Sequence, residues 1–122
     1  MTAFGPYTPV RRAGNTFFVS GQVGVDPATK TAPADTAGQT SQALANLKTV
    51  LHEAGANMDD VVKTTVFLAD MQDFAVMNAA YEQAFSVPRP ARSTIAIREL
   101  PRVAEGTALL VEIEAIAYKE SL

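Results

Sequence analysis

Charged side chains interrupt two apolar runs near the C-terminus, residues 90–98 and 109–117. Both runs are rich in branched apolar residues and bounded by proline, glycine or charge, a pattern that predicts β-strands. Because side chains alternate across a strand, Arg92, Thr94 and Arg98 share one face of the first run. An ionised group on an apolar strand is costly unless it is paired or used. These positions are therefore the first candidates for chemistry.

Two carboxylates occupy the second run, where Glu112 and Glu114 share a face. The two runs are predicted to pair as an antiparallel hairpin with its turn near Val103. This register places Thr94 opposite Glu112. It also places Arg92 opposite Glu114. Residue types alone favour structural salt bridges between the strands, and a functional role for the same charges stays open at this point.

Several common chemistries lack the residues that they need. The chain has no cysteine, which excludes disulfides, thiolate nucleophiles and cysteine-ligated metals. Its single histidine, His52, falls off the apolar stripe of a predicted helix, where we expect it to be solvated rather than catalytic. There is no phosphate-binding loop, and the short G-Q-V-G stretch at 21–24 follows a strand into a loop. Neither a metal nor a cofactor is predicted.

The polar residues that remain suit a small carboxylated metabolite. An arginine can hold a carboxylate in two hydrogen bonds, and a carboxylate side chain can orient a water molecule and take its proton. Such a site would draw on backbone groups of the glycine turns and on Arg92, Glu112, Glu114, Ser20, Tyr7 and Asn78.

The bulk properties of the chain narrow its partners and its location. A length of 122 residues with 48% hydrophobic and 19% charged residues predicts one globular domain over residues 1–122. The net charge of −3 gives no electrostatic reason to expect nucleic acid or an anionic membrane. No apolar run approaches the roughly 18 residues of a membrane span, and the first residues lack the features of a signal peptide. A cytoplasmic protein is predicted.

The predicted order of elements is β-β-α-β-α-β-β. Asp35 and Asp70 are each placed to cap a helix, and Gly55 to end the first one. The predicted elements are strands 7–13 and 16–23, a helix over 35–55, a strand over 60–68, a helix over 71–85 and the two C-terminal runs. In the second helix, Asn78 lies on the apolar face, so its amide is expected either to tie down a backbone segment or to meet a ligand.

This order predicts an α+β fold with both helices on one face of a single mixed sheet. The other face of the sheet would then carry branched apolar residues and threonines with nothing to cover them. Because so apolar a face does not suit a monomer, self-association through it is predicted, most simply as a closed ring.

Six blocks of the sequence resemble one family. They are G-P-Y at 5–7, V-S-G-Q at 19–22, V-K-T-T-V-F at 62–67, N-A-A-Y-E at 78–82, P-A-R-S-T at 90–94 and E-I-E-A-I-A at 112–117. In this order and spacing they resemble the Rid (YjgF/YER057c/UK114) family, and most closely its reactive-intermediate deaminase A branch. The resemblance covers nearly the whole chain, from Gly5 to Tyr118.

The resemblance implies a fold, an assembly and a reaction. The fold is chorismate-mutase-like, and the assembly is a homotrimer whose sheets form a central barrel, with three clefts that each lie between two subunits. The reaction is hydrolysis of reactive enamines and imines, such as 2-aminoacrylate and 2-iminobutyrate, to 2-ketoacids and ammonia. Enzymes that use pyridoxal phosphate release these intermediates, whereas the deaminase itself uses no cofactor.

The resemblance also implies roles for individual residues. Arg92 matches the arginine that binds the substrate carboxylate, and Glu112 matches the acid that positions or activates water. Thr94 lies where some members of the family carry cysteine. The remaining matches are to cleft-lining or backbone-contact positions, at Tyr7, Ser20, Gly21 and Asn78.

Two other functions stay open beside deamination. One is a non-catalytic trimer that binds metabolites or acts like a chaperone, although the presence of Arg92 counts against it. The other is RNA cleavage, which the acidic charge and the lack of a basic stripe make the weakest. On the deaminase hypothesis Arg92 and Glu112 are functional, while Glu114 and Arg98 remain structural or solvated. That hypothesis requires that Glu114 does not neutralise Arg92.

Overall fold

The computed structural model describes residues 3–104 and 106–120. The single domain predicted over 1–122 extends to termini that lie outside the described residues. The elements follow the predicted order: β1 Val10–Ala13, β2 Thr16–Val23, α1 Thr36–Glu53, β3 Val61–Leu68, α2 Phe74–Glu82, β4 Ala91–Ala96 and β5 Val111–Tyr118. Short 3₁₀ turns, Met58–Asp60 and Met71–Asp73, precede β3 and α2. None of the helices in this part of the chain is long and apolar enough to cross a membrane.

The five strands form one mixed sheet in the order β1-β2-β5-β3-β4. Antiparallel pairing joins β1 to β2, β2 to β5 and β5 to β3, whereas β4 runs parallel to β3 at the edge. The first hairpin is confirmed, although its first strand begins only at Val10. The predicted α+β architecture with one mixed sheet and two helices on one face is confirmed as well.

The predicted hairpin between the two C-terminal strands is wrong. β3 lies between β4 and β5 and pairs with both of them. Arg92 therefore lies beside Thr64 rather than opposite Glu114. Glu112 lies beside Phe67 rather than opposite Thr94. The physical reason is that β3, α2 and β4 form a strand–helix–strand crossover, which delivers β4 parallel to β3 before the chain returns as β5.

Both helices pack on the same face of the sheet and bury its alternate side chains. Threonine, valine and leucine of β3 at positions 64, 66 and 68 are all fully buried. The core formed in this way includes Phe17, Val19, Leu44, Leu47, Leu51, Val66, Leu68, Met77, Tyr81, Val111, Ile113, Ala115 and Ala117.

The predicted cap of α1 is present, whereas the predicted cap of α2 starts a 3₁₀ turn instead. Asp35 accepts a hydrogen bond from the backbone N–H of Gly38 at the start of α1. Asp70 accepts one from the N–H of Gln72, but it begins a 3₁₀ turn, so α2 is shorter than predicted and starts at Phe74. Phe74, the first residue of α2, is 40% exposed.

A buried amide ties the start of α1 to the segment before β5. Gln39 is fully buried, and its Nε2 donates to the carbonyl oxygens of Pro33 and Ala108, both at 2.9 Å. Its Oε1 accepts from the N–H of Leu110 at 2.7 Å. Because every polar atom of this amide is used, the chain enters β5 at a fixed position, two residues before Glu112.

The face of the sheet away from the helices remains open in the single chain. Phe18, Ile95 and Tyr118 are 47%, 45% and 46% exposed there. Lys63 donates to the hydroxyl of Ser93 at 2.9 Å on the same face. Exposed apolar side chains are present on this face as predicted, but they lie beside the charged Lys63, Glu112 and Glu114. Self-association through this face remains a prediction.

Candidate functional site

Arg92 lies on the edge strand β4 and faces the helices. Its neighbour in register on β3 is Thr64, a buried residue of the helix-covered face. Its Nη2 donates a hydrogen bond to Oδ1 of Asn78 at 2.6 Å. The guanidinium carbon lies 4.7 Å from the ring centre of Tyr81 and 5.6 Å from that of Phe74. The two rings therefore hold the cation by cation–π attraction while Asn78 fixes its orientation.

The bond from Arg92 to Asn78 leaves the arginine with its full charge, because an amide is neutral. Asn78 thus takes a third role that the sequence analysis did not foresee: it positions a charged side chain rather than backbone. Within the described ranges, no carboxylate lies within 4.0 Å of the Arg92 guanidinium. The requirement that Glu114 leaves Arg92 unpaired is met, since β3 separates the two strands that carry them.

Tyr81 supports Arg92 from the core. Its hydroxyl shares a hydrogen bond of 2.6 Å with the hydroxyl of Thr64, and its ring packs against Phe85 with centres 4.9 Å apart. Burial raises the pKa of Tyr81, and the bond to Thr64 and the charges of Arg92 and Arg89 only partly oppose this. Tyr81 therefore stays neutral at physiological pH and offers Arg92 an aromatic face without an anionic charge.

A shallow cleft of about 380 Å³ opens beside the guanidinium. Its lining is Asn78, Tyr81, Glu82, Arg89, Pro90 and Arg92. Thr94 lies two residues beyond Arg92 on the same face of β4, beside Val66. A half-buried cation that is held by a neutral amide and aromatic rings, and that faces a cleft, can bind an anionic group in two hydrogen bonds.

Glu112 projects from the other face of the sheet. It lies on β5 between Val23 of β2 and Phe67 of β3. Burial raises the pKa of the Glu112 carboxyl, and the negative charge of Glu114 raises it further. A raised pKa brings the carboxyl nearer to the range in which it can both accept and return a proton at neutral pH.

Gly21 lies directly against the Glu112 side chain. A Cβ atom at position 21 would lie 2.7 Å from Cδ of Glu112, closer than any carbon–carbon contact allows. Only glycine leaves room for the carboxylate at this point of β2, which is also where the pairing of β2 with β5 is irregular.

Ser20 and Tyr7 come from the segment beside this glycine. The Ser20 hydroxyl donates to the carbonyl oxygen of Thr8 at 2.6 Å, and its N–H donates to that of Pro9 at 2.9 Å. These bonds fix the N-terminal segment against β2. Tyr7 is 49% exposed and lines a cleft of about 180 Å³ together with Gly21.

The predicted site residues therefore form two groups in one chain. Arg92, Asn78 and Thr94 belong to the helix-covered side of the edge strand. Glu112 and Gly21 are in contact on the open side of the sheet. Ser20 precedes Gly21 on β2, and Tyr7 of the N-terminal segment lines the same cleft as Gly21. Because β3 lies between β4 and β5, a single chain does not bring Arg92 and Glu112 to one cleft.

Sequence reasoning missed the aromatic support of Arg92 and the second arginine of its cleft. Phe74, Asn78 and Tyr81 are spaced by four and three residues, so they share one face of α2. Once Asn78 is placed next to Arg92, the same spacing predicts both rings beside the guanidinium. Arg89 carried no such signal, because it lies in the proline-rich stretch between α2 and β4.

The described residues offer little for a metal: in ranges 3–104 and 106–120 no three His, Cys, Asp or Glu side chains cluster to hold an ion.

Comparison with known proteins identifies the family. A family model described as Endoribonuclease L-PSP matches residues 1–119. A RutC family protein of Pyrococcus horikoshii is 44% identical over 117 residues, which cover 95% of this chain and 89% of that protein. The 2-iminobutanoate/2-iminopropanoate deaminase of Escherichia coli K12 is 42% identical over 120 residues, which cover 96% of this chain and 90% of that enzyme.

The fold comparison agrees with the sequence comparison. The crystal structure of RidA from an Antarctic Psychrobacter matches with a TM-score of 0.90 and 37% identity, over 97% of this chain and 92% of that one. The chain therefore belongs to the family that the Endoribonuclease L-PSP model describes, and its resemblance to the Rid family is confirmed. Relatives of this chain within the family carry the name of imine deaminases.

Proposed function

We propose that the protein is a deaminase that hydrolyses 2-imino and 2-enamino acids to 2-ketoacids and ammonia. The observation that carries this proposal is the guanidinium of Arg92, which faces a cleft, is oriented by Asn78 and two aromatic rings, and has no carboxylate partner among the described residues. The names of relatives at 42% identity support the reaction. The substrates are released by enzymes that use pyridoxal phosphate, and the chemistry below requires no cofactor.

In the proposed reaction, Arg92 binds the substrate carboxylate in two hydrogen bonds and so fixes the adjacent imine carbon. Glu112 orients a water molecule and takes its proton as the oxygen forms a bond to that carbon. The electron pair of the C=N bond moves to nitrogen, which receives a proton. Glu112 returns its proton to the amino nitrogen, the C–N bond breaks and ammonia leaves, and loss of the hydroxyl proton to water gives the carbonyl of the 2-ketoacid. An enamine enters the same path after protonation at carbon.

The proposal includes a homotrimer in which the two groups of site residues meet between subunits. Arg92 and Glu112 lie on opposite faces of one sheet, so a complete site requires Arg92 of one copy and Glu112 of the next. The exposed Phe18, Ile95 and Tyr118 of the open face favour its burial against other copies. Tyr7, Ser20, Gly21, Asn78 and Thr94 would line the clefts, and a cytoplasmic location would suit reactive intermediates made there.

The central experiment supplies an imine and follows its hydrolysis. A threonine dehydratase generates 2-iminobutyrate, and formation of 2-ketobutyrate is measured with and without the protein. We expect acceleration by the wild type and a loss on the order of 100-fold in kcat/KM for Arg92→Ala, because the substrate loses its charged anchor. Arg98→Ala, an exposed arginine just beyond β4, is the matched control. Failure of a correctly folded protein to accelerate hydrolysis would refute deamination of this substrate.

Two other functions give different results in the same experiment. A non-catalytic trimer would bind 2-ketobutyrate through Arg92 without turning over the imine. RNA cleavage, the activity in the family model's description, would require phosphate contacts that a chain of net charge −3 without a basic stripe supplies poorly. The unpaired arginine in its cleft favours a small carboxylate over either a chaperone client or RNA.

A further inference from the structure

Arg89 gives the Arg92 cleft a second positive charge. It lies in the segment between α2 and β4, lines the same cleft as Arg92, and is exposed. Pro88 and Pro90 flank it. Proline fixes its own backbone and restricts the residue before it to extended conformations. The flanking prolines therefore restrict the backbone that carries Arg89 beside the cleft.

The charge of Arg89 is not neutralised within the chain. Among the residues that the structure describes, no carboxylate lies within 4.0 Å of its guanidinium. Glu82 lines the same cleft but is not within that distance. The lining of the cleft therefore includes two guanidinium groups and one carboxylate. The field of both arginines reaches its floor, since each opposes the effect of burial on the pKa of the Tyr81 hydroxyl.

The spacing of the two arginines fits a small molecule with two anionic groups. Their positions are three apart in the sequence, so their Cα atoms lie at most about 10 Å apart. The Arg92 guanidinium is held in place by Asn78 and the aromatic rings, whereas the Arg89 side chain is long and exposed. The Arg89 guanidinium can therefore reach the far end of a chain of four or five carbons whose near end is bound by Arg92. The cleft volume of about 380 Å³ is sufficient for such a molecule.

We propose that Arg89 selects 2-imino acids that carry a second carboxylate at the end of the side chain. Arg92 binds the carboxylate next to the imine carbon, and Arg89 binds the distal one. This inference rests on the proposed function, because it names the substrate class of that reaction. The hydrolysis itself is unchanged: water adds, ammonia leaves, and the product is a dicarboxylic 2-ketoacid.

The test compares two imines of equal chain length. Amino-acid oxidases generate 2-iminoglutarate and 2-iminopentanoate in situ, and kcat/KM is measured for each with the wild type, Arg89→Gln and Arg102→Gln. The last variant removes the same charge from an exposed loop outside the cleft. We expect the wild type to favour the dicarboxylic imine. Arg89→Gln should lower kcat/KM for that imine roughly tenfold, mainly through KM, because a charge-assisted contact is lost. Its kcat/KM for 2-iminopentanoate and both values for Arg102→Gln should stay within about twofold.

A binding measurement separates this inference from the proposed function. Calorimetric titration with 2-oxoglutarate and 2-oxopentanoate reports affinity without turnover. If neither imine is hydrolysed, deamination is refuted, but tighter binding of 2-oxoglutarate that is lost in Arg89→Gln still supports the ligand class. If 2-iminopentanoate is hydrolysed and Arg89→Gln leaves the ratio of the two kcat/KM values unchanged, deamination stands and Arg89 is only a solvated surface charge. Equal affinity of the two ketoacids for the wild type would overturn the inference in the same way.

Discussion

At the scale of single residues, the bond between Asn78 and Arg92 orients a cation without pairing it with an opposite charge. The donor is a guanidinium nitrogen and the acceptor is the oxygen of a neutral amide, 2.6 Å away. A carboxylate in the same place would also orient the arginine, but it would compete with the substrate for it. The sequence shows Asn78 on the apolar face of its helix, yet it does not show which long side chain reaches it from another strand.

Asn78→Asp should therefore weaken substrate binding and leave the fold intact. The new carboxylate would form an ion pair with Arg92 and occupy the donors that the substrate needs. We expect KM for 2-iminobutyrate to rise about tenfold or more. Asn57→Asp is the matched control, because Asn57 caps the Met58–Asp60 turn and aspartate can take over this cap. An unchanged KM in Asn78→Asp would show that Arg92 does not bind the substrate.

The pKa of Glu112 predicts how activity responds to pH. Burial and the charge of Glu114 both raise it. A base that must be ionised loses activity as the pH falls through its pKa, so kcat/KM should have an acidic limb set by Glu112. Glu114→Gln removes one of the two causes and should shift this limb to lower pH. Glu99→Gln, on an exposed loop, should leave it in place. If Glu114→Gln left the acidic limb at the same pH, the limb would have to be set by a group other than Glu112.

At the scale of elements, the helices and strands could be predicted from the sequence, but not every strand pairing. Element order, the Asp35 cap of α1 and the first hairpin follow from local turn chemistry and periodicity. The pairing of β4 does not, since an apolar edge strand shows the same residue pattern beside β3 as beside β5. The strand–helix–strand order of β3, α2 and β4 favours parallel pairing, and the hairpin hypothesis overlooked it.

The contact between β2 and β5 makes Gly21 a sensitive position. In Gly21→Ala, the new methyl group would force the Glu112 side chain to move, because its carbon would lie 2.7 Å from Cδ of Glu112. We expect kcat to fall at least tenfold while the melting temperature changes little, since the displaced group is the free end of a side chain.

Gly14→Ala is the control for Gly21→Ala, because it should lower stability without changing kcat. Gly14 has a φ of +60° in the turn between β1 and β2, with open space around it. Alanine there should cost about 1 kcal/mol of stability and leave kcat unchanged. If Gly21→Ala instead lowered stability and left kcat unchanged, Gly21 would have a structural role only.

At the scale of the whole molecule, the sheet separates the two halves of the candidate site. Arg92 and Glu112 face opposite sides, and β3 lies between their strands. Sequence resemblance named both residues and implied clefts between two subunits, but it did not show that Arg92 and Glu112 of one chain lie on opposite faces of the sheet. The separation follows from the strand order together with the register, which puts Arg92 beside Thr64 and Glu112 beside Phe67 on opposite faces of β3.

Complementation between inactive chains tests whether two copies share a site. Arg92→Ala and Glu112→Gln chains are purified separately, unfolded, mixed in equal amounts and refolded together. If each site joins Arg92 of one copy to Glu112 of the next, random trimers should regain about a quarter of the wild-type activity. Each variant refolded alone should stay inactive. Mixed oligomers without recovered activity would mean that each site is complete within one chain.

The same separation of Arg92 from Glu112 has a kinetic consequence for dilute protein. A site that forms only when copies meet exists only in the assembled fraction, so mass action governs the number of sites. Activity per chain would then fall on dilution below the dissociation constant of the assembly, whereas a site within one chain would keep constant specific activity. A newly made chain would be inactive until it assembled with other copies, and its specific activity would depend on the concentration of the protein.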